Sequence, residues 1–142
     1  MKVLITGATG LLGGHLLQEL QQRGEQIRVL VLPVENAEKL IAQGVEVVRG
    51  DVTDASTLAP AVRDIEIIFH LAGMMGVDRP LADYRLVNVT GSENLYRAAQ
   101  AAGVSPVTPC TPVVLTCTKR RNRVCPWHTL SRMRVPSTCV WR

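Results

Sequence analysis

The sequence predicts an α/β fold, a doubly wound parallel sheet truncated after about four βα units, and three observations carry that prediction. Short β-branched runs alternate with stretches of helical periodicity through residues 1–105. Two of the runs, Ile27-Arg28-Val29-Leu30-Val31-Leu32 and Ile65-Glu66-Ile67-Ile68-Phe69-His70-Leu71, have the composition of strands covered on both faces. Gly7, Gly10 and Gly13 stand directly after the first run, where the chain must leave a strand and enter a helix.

Taken in order, the first strand is expected at 2–6, followed by a helix over 11–23 with Leu16, Leu17 and Leu20 at helical spacing. Gly24 suits the end of that helix, and a second strand is expected at 26–32. A helix at 35–43 runs to Gly44, and a third strand follows at 45–49. Thr53 is placed to cap a third helix at 54–63. The fourth strand, 65–71, leads through the loop Met74-Met75-Gly76-Val77-Asp78-Arg79-Pro80 into a long helix at 81–102 that Gly103 ends. In a doubly wound sheet of order 3-2-1-4-5-6, the ligand crevice opens between the first and fourth strands. Without a fifth strand the apolar fourth strand is expected to be an edge, with Val113-Val114-Leu115-Thr116 as a poor edge strand in substitution.

Glycine has a physical purpose at each of the three positions. Gly7 leaves the strand through a tight turn, Gly10 has no Cβ to hold a phosphate away from the main chain, and Gly13 lets the first helix lie close on the sheet. The pattern brings backbone against a pyrophosphate at a helix N-terminus, which is a dinucleotide-binding arrangement of Rossmann type.

Composition bounds the remainder. At 142 residues, 46% hydrophobic and 20% charged, the chain is sized for one domain with an adequate core. Met1-Lys2-Val3 enters a strand at once, so neither a signal segment nor a membrane partner is expected, and the expected compartment is the cytoplasm. The net charge of +4 describes neither half of the chain. Residues 1–105 hold nine Lys/Arg against twelve Asp/Glu, whereas residues 106–142 hold seven Lys/Arg and no acid. All four cysteines, both tryptophans and five of the eight prolines also fall after Ser105.

Residues 1–104 resemble the N-terminal half of the extended short-chain dehydrogenase/reductases, the NAD(P)-dependent epimerases, dehydratases and dihydroflavonol-reductase-like enzymes. The resemblance rests on Gly7, Gly10 and Gly13, on Gly50-Asp51-Val52-Thr53-Asp54, on His70-Leu71-Ala72-Gly73, and on Asn88-Val89-Thr90-Gly91-Ser92-Glu93-Asn94-Leu95. It implies a cofactor, NAD or NADP, with Thr9, Gly10, Leu11 and Leu12 at the pyrophosphate, Asp51 facing the adenine, and Val52 beside it. It further implies that Leu71, Ala72 and Gly73 line the cleft and that Asn88 reaches towards the cofactor. Local readings stand beside these: Asp51 can accept backbone hydrogen bonds in a turn, and Asn88 can satisfy carbonyls. His15 and His70 read as packed or capping groups.

Cofactor choice is set at the end of the second strand, where Leu32-Pro33-Val34-Glu35 offers Glu35 either as a ribose acceptor or as a helix-start acid. The family's catalytic Tyr-x-x-x-Lys pair has no counterpart, since Tyr84 is followed by Asn88 and Tyr96 by Gln100. The resemblance therefore implies hydride transfer on a small-molecule substrate for the whole enzyme, and dinucleotide binding without turnover for this chain. A homodimer is expected only where the missing half is present.

Residues 106–142 are expected to be disordered, or to be a shifted reading frame of that missing half. Back-translated and shifted, Pro109-Cys110-Thr111-Pro112-Val113-Val114 permits Val-Tyr-Thr-Ser-Ser, the family's type of fifth strand. Cys110, Cys117, Cys125, His128 and Cys139 lack the paired spacing of a structural zinc site, so no metal is expected. Lys119-Arg120-Arg121-Asn122-Arg123 reads as a solvated basic segment in preference to a nucleic-acid contact. A competing function is a non-catalytic dinucleotide sensor or scaffold that engages a partner through this basic tail.

Overall fold

A computed structural model describes residues 1–76 and 78–104, and residues 114–117 as backbone. The strands are β1 (Lys2–Thr6), β2 (Gln26–Val31), β3 (Glu46–Arg49), β4 (Ile67–His70) and β5 (Val114–Cys117), in the order β3-β2-β1-β4-β5. The first four run parallel, with β1 between β2 and β4, as the expected order requires. β5 lies antiparallel on β4, pairing Ile67 with Cys117 and His70 with Val114. β4 is therefore covered on that side, by a strand that overlaps the expected substitute at 113–116 and is shifted one residue along. The remaining expectations for 106–142, disorder, a shifted frame and the readings of Cys110, Cys125, His128, Cys139 and the basic run, lie outside the described residues.

Alternation along the strands divides the core in two. Val3, Ile5, Val29, Val31, Ile67 and Phe69 face α1 (Leu11–Gln22) and α2 (Glu38–Ala42), which contribute Leu17, Leu20 and Leu40. Leu4, Leu30 and Ile68 face the other layer, where α3 (Ala59–Val62) contributes Ala61 and Val62 and the final helix contributes Leu95 and Ala99. Both faces of the sheet are covered, so the strands read as near-continuous apolar runs.

Three elements depart from expectation for local reasons. α2 starts later than Glu35, because Leu32-Pro33-Val34-Glu35 closes a turn, Glu35 N–H donating to Leu32 O at 3.0 Å, and Asn36 Oδ1 then accepts from Glu38 N–H. The third helix breaks into a 3₁₀ turn (Ala55–Thr57) and the short α3, since Pro60 has no N–H to continue the ladder. Its cap is Asp54, whose carboxylate accepts from Ser56 N–H at 3.0 Å, and not Thr53. The long helix divides into α4 (Leu81–Arg85), a π turn (Leu86–Thr90) and α5 (Gly91–Ala101). Gly91 N–H reaches back five residues to Leu86 O, and a Cβ at Gly91 would stand 2.8 Å from Val52 Cγ2.

Candidate functional site

The carboxyl ends of β1 and β4 meet the start of α1 backbone to backbone. Gly7 has φ +74°, and a Cβ there would lie 2.7 Å from both the Leu71 carbonyl carbon and Ala72 N. A Cβ on Gly13 would lie 2.1 Å from Gly7 O, so the first turn of α1 is seated on the glycine turn. Gly10 is the N-cap of α1, no side chain caps it, and no acid occupies the first turn. The first-turn amides, those of Leu11, Leu12 and Gly13, thus form a donor set suited to an anion. Leu11 and Leu12 are exposed beside it, as are Leu32, Val34 and Met75 at the ends of β2 and β4.

Glu35 is held beside this turn. Its carboxylate accepts from the Thr9 hydroxyl at 3.0 Å and from Leu32 N–H at 2.9 Å, which places an acid at the end of β2 against the glycine loop. The Arg49 guanidinium at the end of β3 is turned onto main chain, donating to Leu32 O at 3.1 Å, Pro33 O at 3.2 Å and Glu35 O.

The remaining sequence-named residues gather at the same end of the sheet. Asp51 Oδ1 accepts from Thr53 N–H at 2.8 Å, and Asp51 N–H donates to Thr57 Oγ1 at 3.0 Å. Val52 is buried against Gly91, and Asn94 Nδ2 donates to Val52 O and Thr53 O, tying this turn to α5. Asn88, in the π turn, grips the loop after β4 with both ends of its amide. It accepts from Met74 N–H at 2.7 Å and donates to Met74 O at 2.9 Å. The local readings of Asp51 and Asn88 are thus realised in hydrogen bonds, and the segment Leu71-Ala72-Gly73 runs between the glycine turn and Asn88.

Sequence reasoning missed a buried chain beneath these loops. Thr6 Oγ1 accepts from Ala72 N–H at 3.1 Å and Leu71 N–H at 3.2 Å, and stands 2.7 Å from His70 Nδ1. His70 Nε2 is 3.0 Å from Ser92 Oγ, which donates to Asn88 O at 2.8 Å. His70 is 3% exposed, and burial pushes its pKa down to about 4. The signal was available in register: Thr6 and His70 each end a strand, and parallel pairing puts them side by side. His15 differs from its expected role, lying exposed on α1.

A separate cleft between α3 and α5 is lined by Ala59, Arg63, Asn94, Arg97 and Ala98 and by none of the glycine-turn residues. No group of three metal-ligating side chains occurs among the described residues. No helix among them is long and apolar enough to cross a membrane.

A parallel sheet with an open anion-donor helix at its central strands is a Rossmann-type nucleotide fold. The chain belongs to the NAD-dependent epimerase/dehydratase family, whose model matches residues 3–112. It is 39% identical over 112 residues to a 3 beta-hydroxysteroid dehydrogenase/Delta 5-->4-isomerase of Mycobacterium tuberculosis, covering 72% of this chain and 29% of that protein. It is 34% identical over 118 residues to a UDP-glucose 4-epimerase of Klebsiella pneumoniae, covering 73% of this chain and 84% of that one. Among solved structures, uronate dehydrogenase from Agrobacterium tumefaciens complexed with NAD is 32% identical with a TM-score of 0.59, over 72% of this chain and 37% of that one. UDP-glucose-4-epimerase from Stenotrophomonas maltophila with bound NAD gives a TM-score of 0.65 at 29% identity, over 74% and 35% of the two chains. The chain spans 29% of the dehydrogenase/isomerase, 37% of the uronate dehydrogenase and 35% of the Stenotrophomonas maltophila epimerase.

Proposed function

We propose that this chain is the NAD(H)-binding part of an oxidoreductase, epimerase or dehydratase acting on a carbonyl or hydroxyl group of a small molecule, and that alone it binds dinucleotide without turnover. The observation that carries the reading is the glycine turn: Gly13 has no room for a Cβ above Gly7 O, and an uncapped helix start opens over the ends of the central strands. The residues fit the cofactor, with backbone around Gly10, Leu11 and Leu12 for the pyrophosphate, Asp51 and Val52 for the adenine, and Leu71, Ala72 and Gly73 as cleft wall. When bound, the dinucleotide supplies the hydride donor or acceptor. Asn88 acts here by holding the Met74 end of that wall.

Glu35 supports NAD(H) in preference to NADP(H). Its carboxylate, fixed by Thr9 and Leu32, suits ribose hydroxyls and repels a 2′-phosphate, while Nη1 of Arg49 is turned onto main-chain carbonyls. Turnover is not expected, because neither Tyr84 nor Tyr96 carries a lysine four residues on. The test is a fluorescence titration of the full chain with NADH and NADPH, repeated on Glu35→Gln, with an assay for cofactor oxidation by carbonyl substrates. Binding of NADH ahead of NADPH, a narrowed gap in the variant and no oxidation are expected. Failure to bind either nucleotide overturns the reading.

A further inference from the structure

We propose that His70 is a positioning residue that couples the π-turned helix to the cleft wall through a hydrogen-bond chain of fixed direction. The direction follows from counting protons. Asn88 O can only accept, so the Ser92 hydroxyl proton goes to it at 2.8 Å and Ser92 Oγ is left to accept from His70 Nε2–H at 3.0 Å. Nδ1 is therefore an acceptor and the ring proton sits on Nε2. Thr6 Oγ1 gives its proton to Nδ1 at 2.7 Å, accepts Ala72 N–H at 3.1 Å and shares Leu71 N–H with the Thr6 carbonyl. Every group in the chain has one assignment, and it exists only for the neutral imidazole.

The chain closes into a loop around the wall. Asn88, whose carbonyl receives the last proton, holds Met74 N–H and O with its own amide, and Thr6 holds Leu71 and Ala72 at the other end. The segment 71–74 is thus clamped at both ends, with His70 as the link between the clamps. A second proton on the ring would aim a donor at Thr6 Oγ1, in competition with the Leu71 and Ala72 N–H groups that Oγ1 already accepts. Each ring nitrogen faces a hydroxyl, from β1 and α5 respectively. Val114 is the register neighbour on β5, and no charged side chain contacts the ring among the described residues.

That the clamped wall serves a cofactor rests on the reading above, so the test separates the two. Long-range ¹H–¹⁵N spectra of the full chain at pH 7 read the tautomer directly, with no cofactor present. A single Nε2–H tautomer is expected; an Nδ1–H tautomer, an average of the two, or an imidazolium overturns the proposal. Ser92→Ala should abolish the single tautomer and shift the amide signals of Leu71, Ala72 and Met74, and Ser92→Thr should restore both. Unmoved amides in Ser92→Ala overturn the coupling. NADH titration adds a tenfold or greater weakening in Ser92→Ala, with recovery in Ser92→Thr. Equal NADH affinity in Ser92→Ala and the parent confines His70 to the fold and overturns its positioning role. Absence of NADH binding in the parent chain, with the tautomer and amide results intact, overturns the cofactor reading alone.

Discussion

Gly13 shows how much one missing carbon decides. A methyl group there would sit 2.1 Å from a backbone oxygen that cannot rotate away, so helix and turn must separate to admit it. Gly13→Ala is expected to destabilise the chain by about 3 kcal/mol, checked by urea denaturation. His70 gives a residue-scale dependence on pH. Its folded pKa, about 4, lies below the ordinary value of 6.5, so the unfolded chain binds the extra proton first. Stability is then full above pH 6.5, falls through the window down to about 4, and flattens below it. The limiting slope of one proton is about 1.4 kcal/mol per pH unit, read as denaturation midpoints between pH 4 and 7. His70→Gln should remove that slope. The glycines were legible in the sequence because their spacing encodes close approach. His70 was legible only as a packed group, because its partners lie 64 and 22 residues away and one strand pairing must be known first.

At the scale of elements, β2 carries a charge where its sequence predicts an apolar strand. Arg28 is 5% exposed, and its guanidinium donates to Pro60 O at 3.0 Å, Ala61 O at 3.0 Å and Arg63 O at 2.6 Å, closing the carboxyl end of α3. It also pairs with Glu46 on β3 at 2.6 Å, and Lys2 meets the same carboxylate at 3.2 Å. The hydrogen bond from Arg28 is the main reason the Glu46 pKa is lowered. α3 has only four residues, so its carbonyls depend on this side chain. Arg28→Met should cost about 2–3 kcal/mol in chemical denaturation, because it leaves helix-end carbonyls without donors, and should let the Glu46 pKa rise in an NMR titration. Strand positions were readable from β-branched runs, whereas the split third helix and the π turn depend on tertiary partners. Pro60 foretold a break near it. Nothing in Leu86-Val87-Asn88-Val89-Thr90 itself signals the π turn, which allows Gly91 to pack on Val52.

Across the whole molecule, the first four βα units assemble as the alternation predicts, because a right-handed crossover leaves few other ways to bury both sheet faces. The short apolar run at 113–116 was legible as a candidate strand, but its antiparallel direction was not, since a strand's composition does not encode the direction of its pairing. Arg28 has a consequence for how such a sheet comes together. Its charge finds carbonyl partners only when α3 has docked, and its carboxylate partner only when β3 has aligned on β2. A half-built sheet would bury a bare cation, so strand pairing and helix docking on that side are compelled to happen as a single event, and partly formed species there stay sparsely populated.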